Sequence, residues 1–193
     1  MPPKAKVTRT DILNAALAIV RERGEGALNA RELAARLGVS TQPVFSNYAT
    51  MDALRQDVIA AAHEEYRALL TQCMDSGRYP IYKASGMGYI KFAKEEKELF
   101  KLLFMRDRSG EQVTEDRAEI EPLIALIRRN TGMSEEAAYR FHLEMWVCVH
   151  GLATMIATSY LDWDLETISG MLTDCYMGLK TRFCGEETTE WTQ

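Results

Sequence analysis

The stretch LNARELAARLGVSTQPVFSNY, Leu28 to Tyr48, decides the fold. Asn29 followed three residues later by Glu32 is a reciprocal cap of the Asn-x-x-Glu kind and starts a short helix. Leu33, Ala34 and Leu37 share one face of that helix at 3.6-residue spacing. Gly38 takes the left-handed conformation that ends a helix, and Val39 fills the corner after it. Ser40 caps a second helix, with Pro43 in its first turn, where a missing N–H is tolerated. Val44 and Tyr48 form the buried edge of this second helix. Thr41, Gln42, Phe45, Ser46 and Asn47 are left to face outward. Two compact helices about a glycine corner fit a helix-turn-helix, whose second helix enters a DNA major groove.

Outward from this motif, the chain is long enough to bury a full core, with 193 residues of which 47% are hydrophobic. Long segments of helical period and almost no alternating runs predict an all-α protein. The net charge is −5, unevenly spread. Residues 1–50 hold seven cations against four carboxylates, a net of +3, and the rest holds 16 against 24. A basic head on an acidic body is the electrostatic footprint of a small DNA-reading module.

Residues 1–7 read as a basic arm, followed by a Thr8-x-x-Asp11 cap and a helix carrying Ile12, Leu13, Ala16, Leu17 and Val20 to Gly24. Thr50 caps a long helix from about Met51 to Met74, a lever between head and body. A segment from about Tyr82 to Ala93 follows, with a break near Lys94–Glu98 and then an aromatic helix around Leu99–Met105. Arg106 to Thr114 reads as a loop. Another helix runs from about Glu115 to Asn130, which Pro122 must begin or kink. Ser134 starts a helix to about Ser159, and the last helix spans Leu165 to Phe183. On it Leu165, Ile168, Leu172, Cys175 and Leu179 form a stripe resembling a seam for a partner helix, the expected dimer interface.

The head resembles that of TetR-type transcriptional regulators. Their pattern of linked pieces is matched here by Asn29-Ala-Arg-Glu-Leu33-Ala34, Gly38-Val39-Ser40, Val44-Phe45-Ser46-Asn47-Tyr48 and Met51-Asp-Ala-Leu54. Spacing is kept over roughly the first 60 residues, and YIKFAKEEKELFKLLF, Tyr89 to Phe104, resembles a body segment of the same family. The resemblance implies a homodimer reading a palindromic operator as a repressor, with a small effector bound in the body. It implies a DNA-binding domain over 1–50 and a ligand-binding and dimerisation domain over 51–193.

The family's phosphate-contacting Thr, Tyr, His and Lys are replaced by Asn29, Phe45, Asn47 and Met51. That implies weaker backbone contacts, and a shallower salt dependence with them. Lys4, Lys6 and Arg9 of the arm can restore charge. The expected DNA-facing set is Lys4, Lys6, Arg9, Asn29, Arg31, Thr41, Gln42, Pro43, Phe45, Ser46, Asn47 and Tyr48, with Gln42 suited to adenine. In the body, Tyr89, Phe92, Phe100, Phe104, Met105, Trp146 and His150 are candidates for an apolar or aromatic effector site, His150 being its polar anchor. For any one of them, ordinary core packing is the competing reading.

His142 and His150 lie eight apart on one helix, about 12 Å along its axis, too far to share an ion. No Glu-x-x-His, Gly-rich phosphate loop, Gly-x-Ser-x-Gly or Cys-x-x-Cys occurs, so neither a metal, a cofactor nor an enzymatic activity is expected. Cys73, Cys148, Cys175 and Cys184 read as reduced thiols of a cytoplasmic protein. The most apolar run, Met145 to Ala157, is too short to span a bilayer. The alternative reading is a helical small-molecule-binding or enzymatic protein whose head no longer binds DNA specifically, motivated by Phe45 and Met51.

Overall fold

The structure is a computed structural model that describes residues 7–107 and 117–185, with side chains from 120 in the second stretch. Among the described residues it is helical throughout its regular structure. The helices are α1 (Arg9–Arg23), α2 (Ala30–Leu37), α3 (Gln42–Asn47), α4 (Met51–Asp75), α5 (Ile81–Glu95), α6 (Lys97–Phe104), α7 (Arg117–Thr131), α8 (Glu135–Ala157) and α9 (Leu165–Cys184). The all-α architecture read from the periodicity is the one observed. The expected Arg106–Thr114 loop lies largely outside the described residues.

Two compact units result. Residues 1–68 with 95–106 make one, and residues 69–94 with 107–193 the other. The boundary near residue 50 read from the sequence falls inside the first unit.

The first unit begins at a complete capping box. The Thr8 hydroxyl accepts from the Asp11 N–H, and the Asp11 carboxylate accepts from the Thr8 N–H at 2.9 Å. α1 then buries Ile12, Ala16, Ile19 and Val20 and packs against α2 and α6. Arg21 fastens α1 to Glu65 of α4 and to Glu96 ahead of α6. The α6 face, Leu99, Phe100, Leu102 and Leu103, completes this core. That explains why the aromatic helix joins the head's compact unit: its apolar residues are spent against α1 rather than in the second unit.

The second unit is organised about Phe141 of α8. Its ring meets Tyr176 and Phe183 of α9 edge-on at 5.4 and 5.7 Å, and Tyr82 of α5 at 6.3 Å. Ile124 and Ile127 of α7, Met133, Ala138 and Met145 close the cluster. Pro122 stands inside α7. Ser134 caps α8 by accepting from the Ala137 N–H, and Asp164 caps α9 by accepting from the Thr167 N–H.

One expectation is corrected here. The α9 stripe is not an open seam: Ile168 is 0% and Leu172 3% exposed within the single subunit. Cys175 and Leu179 pack on the Phe141 cluster. Leu165 alone of the five is outside these contacts, half-exposed at the helix start. The stripe faces inward because α8 already occupies that side of α9. Helical periodicity identifies an apolar face but cannot say whether its partner lies in the same chain.

Candidate nucleic-acid interface

The helix-turn-helix is built from the residues that set its spacing. Asn29 Oδ1 accepts from the Arg31 and Glu32 N–H groups at 3.1 and 3.0 Å, which starts α2. The reciprocal half of the cap is not made by Glu32, whose carboxylate pairs with Arg23 at 2.5 Å. A longer-range ion pair has outcompeted the local bond. α2 ends at Gly38, whose φ of 65° is the left-handed conformation that a side chain would resist.

α3 starts one residue later than a Ser40 cap would place it. Thr41 is the N-cap, in helical conformation and without a side-chain cap bond; its carbonyl accepts from Val44 and Phe45. Pro43 sits in the first turn, where its missing N–H costs nothing. Val44 is 0% exposed and Tyr48 2%, which fixes the inner edge of α3. The opposite face carries Gln42, Ser46 and Phe45, the last 51% exposed. The phenyl ring thus stands in solvent on a helix anchored from behind.

Each expected contact can now be placed. Lys4 and Lys6 lie outside the described residues. Arg31 is exposed on the first turn of α2, and Thr41, Pro43 and Asn47 are half-buried around α3. Two side chains are partly occupied by their own helix: the Ser46 hydroxyl donates to Gln42 O at 2.9 Å, and Asn47 Nδ2 to Pro43 O at 2.8 Å. Asn29 Nδ2 donates to Ala27 O at 3.2 Å, leaving its second amide hydrogen for other use.

Tyr48, expected among the DNA contacts, turns inward instead. Its hydroxyl donates to Asp57 Oδ2 at 2.9 Å, and the Arg9 guanidinium lies 4.3 Å over its ring while also pairing with Asp57 at 2.8 Å. Arg9 of α1, Tyr48 at the end of α3 and Asp57 of α4 thus form a three-way clamp behind the reading helix. No local pattern signals the clamp, since its partners are 9 and 48 residues apart.

The clamp has a pH signature. The Arg9 guanidinium holds the Asp57 carboxyl below the usual carboxylate range, with burial opposing and the Tyr48 hydroxyl assisting. A carboxyl with a depressed folded pKa stabilises the fold above its unfolded value of about 3.9, and that contribution disappears as pH falls through the folded value. Asp57→Asn should therefore lower the thermal midpoint at neutral pH, and the gap from wild type should narrow below about pH 4. An equal gap at both pH values would assign the stabilisation to something other than the ionised carboxylate.

The head's positive charge is also less free than the residue count implies. Arg9, Arg21, Arg23 and Arg36 all pair with carboxylates of the same unit, Arg36 bidentately with Glu22 at 2.6 and 2.7 Å. Exposed pairs of this sort are weak and exchange partners readily, so a phosphate can take over such an arginine.

The expected effector residues separate into two groups. Phe100, Phe104 and Met105 belong to the first unit; Phe104 meets Phe100, Tyr66 and His63 with ring centroids 5.1, 5.2 and 6.2 Å apart. Tyr89, Phe92, Trp146 and His150 belong to the second. There the Tyr89 hydroxyl lies 2.8 Å from His150 Nδ1, and Trp146 stacks on the same imidazole at 4.9 Å and 11°. Burial lowers the His150 pKa, which keeps the ring neutral at pH 7. Phe92 and Phe100 are wholly buried and line no open surface.

Two features of this unit escaped the sequence reading. A second tyrosine–histidine pair joins α5 to α8, the Tyr82 hydroxyl lying 3.1 Å from His142 Nδ1. A groove of about 380 Å³ lies between the start of α5 and α7, lined by Ile81, Pro122, Ala125, Leu126 and Arg129. Neither leaves a local signal, because their members are scattered along the chain.

Comparison with known proteins agrees with this geometry. Residues 82–173 match the family described as the tetracyclin repressor-like C-terminal domain. No curated protein matches the chain by sequence. Among solved structures, a TetR-like transcriptional regulator from Rhodococcus sp. RHA1 superposes with a TM-score of 0.63 at 17% identity, covering 94% of this chain and 97% of its own. At that identity the likeness speaks for the fold alone, head and body together, while the family match is carried by the body. No described helix is long and apolar enough to cross a membrane. Residues 82–173 are similar to the tetracyclin repressor-like C-terminal domain, and the chain as a whole has the fold of a TetR-like regulator.

Proposed function

We propose that the protein is a ligand-responsive repressor that binds a palindromic DNA operator as a homodimer in the cytoplasm, rather than an enzyme. The observation that carries this reading is the exposed face of α3. Gln42, Phe45 and Ser46 project from a helix whose other edge is held by Val44, Tyr48 and the Arg9–Asp57 clamp. Residues 1–50 do the reading, and residues 51–193 bind effector and partner.

The partner is a second copy of this chain. With the Leu165–Leu179 stripe used internally, the apolar residues left in solvent on the last two helices are Trp146, Val147 and Met155 of α8 and Met171 and Met177 of α9. α8 and about the first half of α9 lie in the segment matched to the tetracyclin repressor-like C-terminal domain. A four-helix bundle of two α8 and two α9 helices would cover part of this apolar surface, Val147 and Met177 included. Such a two-fold interface sets two heads on half-sites one helical turn or more apart.

An apolar or aromatic effector would act by binding one head spacing more tightly than the other, since equal affinity for both would shift nothing. Tyr89 and Trp146, both in contact with His150, are with it the candidates for binding the effector.

The test is duplex binding by a Thr41→Ala, Gln42→Ala double variant. Bidentate base contacts are worth about 1–3 kcal/mol each, so affinity for the operator should fall at least about tenfold while binding to random duplex is unchanged. If the variant keeps its preference, α3 does not read bases.

A further inference from the structure

Two cysteines 27 residues apart in sequence meet between the last two helices: the Cys148 thiol of α8 donates to Cys175 Sγ of α9 across 2.9 Å. Both are free and half-buried, whereas Cys184 is exposed. Neither DNA reading nor the apolar seam needs a sulfur here, and Cys175 packs against the Phe141 cluster that holds α9 in place.

We propose that Cys148 and Cys175 are a two-electron redox site, oxidised by a hydroperoxide to an intrasubunit disulfide and restored by dithiol reductants. The inference is independent of the DNA-binding reading. Forming an S–S bond of about 2.05 Å asks the sulfurs to approach by roughly 1 Å. The helices that carry them already pack together.

The order of attack follows from burial. Burial, then the hydrogen bond to Cys175, pushes the Cys148 thiol up to about 12, so it stays protonated and the first attack falls to Cys175. The Cys175 thiolate attacks the hydroperoxide, the O–O bond breaks, and the alcohol leaves after taking a proton. Cys175 is then a sulfenic acid. Cys148 sulfur displaces its oxygen, the S–O bond breaks, and hydroxide departs as water with the Cys148 proton. In sum, two thiols and ROOH give one disulfide, ROH and H2O, the thiols losing two electrons and the peroxide gaining them. A tie between α8 and α9 would stiffen the pair of helices that present the exposed apolar residues.

The experiment uses the full-length reduced protein and hydrogen peroxide. After treatment, remaining thiols are alkylated and the protein is digested and mapped by mass spectrometry. Wild type should yield a peptide joining Cys148 to Cys175, with an intact mass about 2 Da lower that dithiothreitol restores. Cys148→Ser should leave Cys175 as a sulfenic acid trapped by dimedone, and Cys175→Ser should leave Cys148 alkylatable. The proposal is overturned if Cys148 and Cys175 of wild type both remain alkylatable while Cys184 oxidises. It is equally overturned if either is found linked only to another subunit. The wild-type map decides alone should a variant fail to fold.

Discussion

Phe141→Ala should cost the second unit about 3–5 kcal/mol, the range for removing a buried phenyl ring without backbone collapse. The ring is 0% exposed and touches aromatic side chains from α5 and α9 while α7 closes over it. Its neighbours are anchored on α5, α7, α8 and α9, which limits how far any of them can close the space. Domain stabilities run to only about 5–15 kcal/mol, so the loss is a large share of the total. Phe141→Leu keeps most of the volume and should cost well under half as much. The three tryptophans all lie beyond residue 145, so their fluorescence during urea unfolding follows this unit rather than the head. A loss below about 1 kcal/mol would be that of a surface-like site and would place the core elsewhere.

The second large effect concerns assembly. Val147→Glu combined with Met177→Glu should convert the proposed dimer into a folded monomer. Val147 is 64% and Met177 53% exposed in the single subunit, so glutamates there leave the subunit's own packing untouched. In the bundle, two-fold symmetry would bury four carboxylates with no cation opposite them, at several kcal/mol each. Sedimentation equilibrium should show the mass halved with helix content unchanged. Leu172→Glu makes the contrast: Leu172 is inside the subunit, so its glutamate should unfold the chain rather than divide it. A double variant that remains dimeric would rule out the α8–α9 face as the interface.

Much of this architecture is legible in one sequence because its signals are local. The Thr8–Asp11 box, the Gly38 corner and the Ser134 cap each lie within a single turn, and helix limits follow from them. What depends on partners far along the chain is not legible. α9 carries two apolar faces, a leucine–isoleucine stripe and a methionine face, and only packing against α8 determines which is interior. The same holds for Tyr48, whose ring reads as DNA-facing until Asp57 and Arg9 are seen to hold it. Glu32 satisfies the pattern of a capping box yet turns to Arg23. Tyr82–His142, Tyr89–His150 and Cys148–Cys175 join residues 60, 61 and 27 apart, beyond any window of periodicity.

The substitutions of the phosphate-binding pattern, Asn29, Phe45, Asn47 and Met51, bear on affinity rather than geometry. The exposed α3 face survives them, and the arginines now paired with Glu22, Glu32 and Asp57 can exchange those carboxylates for phosphates. In the proposed repressor, specificity would rest on base contacts more than on backbone attraction.

That balance sets the most direct measurement: competition between a duplex from the region upstream of the protein's own gene and a scrambled duplex of equal length, at about 0.15 M salt. The account predicts a preference of at least about 10³-fold for the upstream duplex, reduced at least about tenfold in the Thr41→Ala, Gln42→Ala variant. Equal affinity of wild-type protein for both duplexes would contradict it.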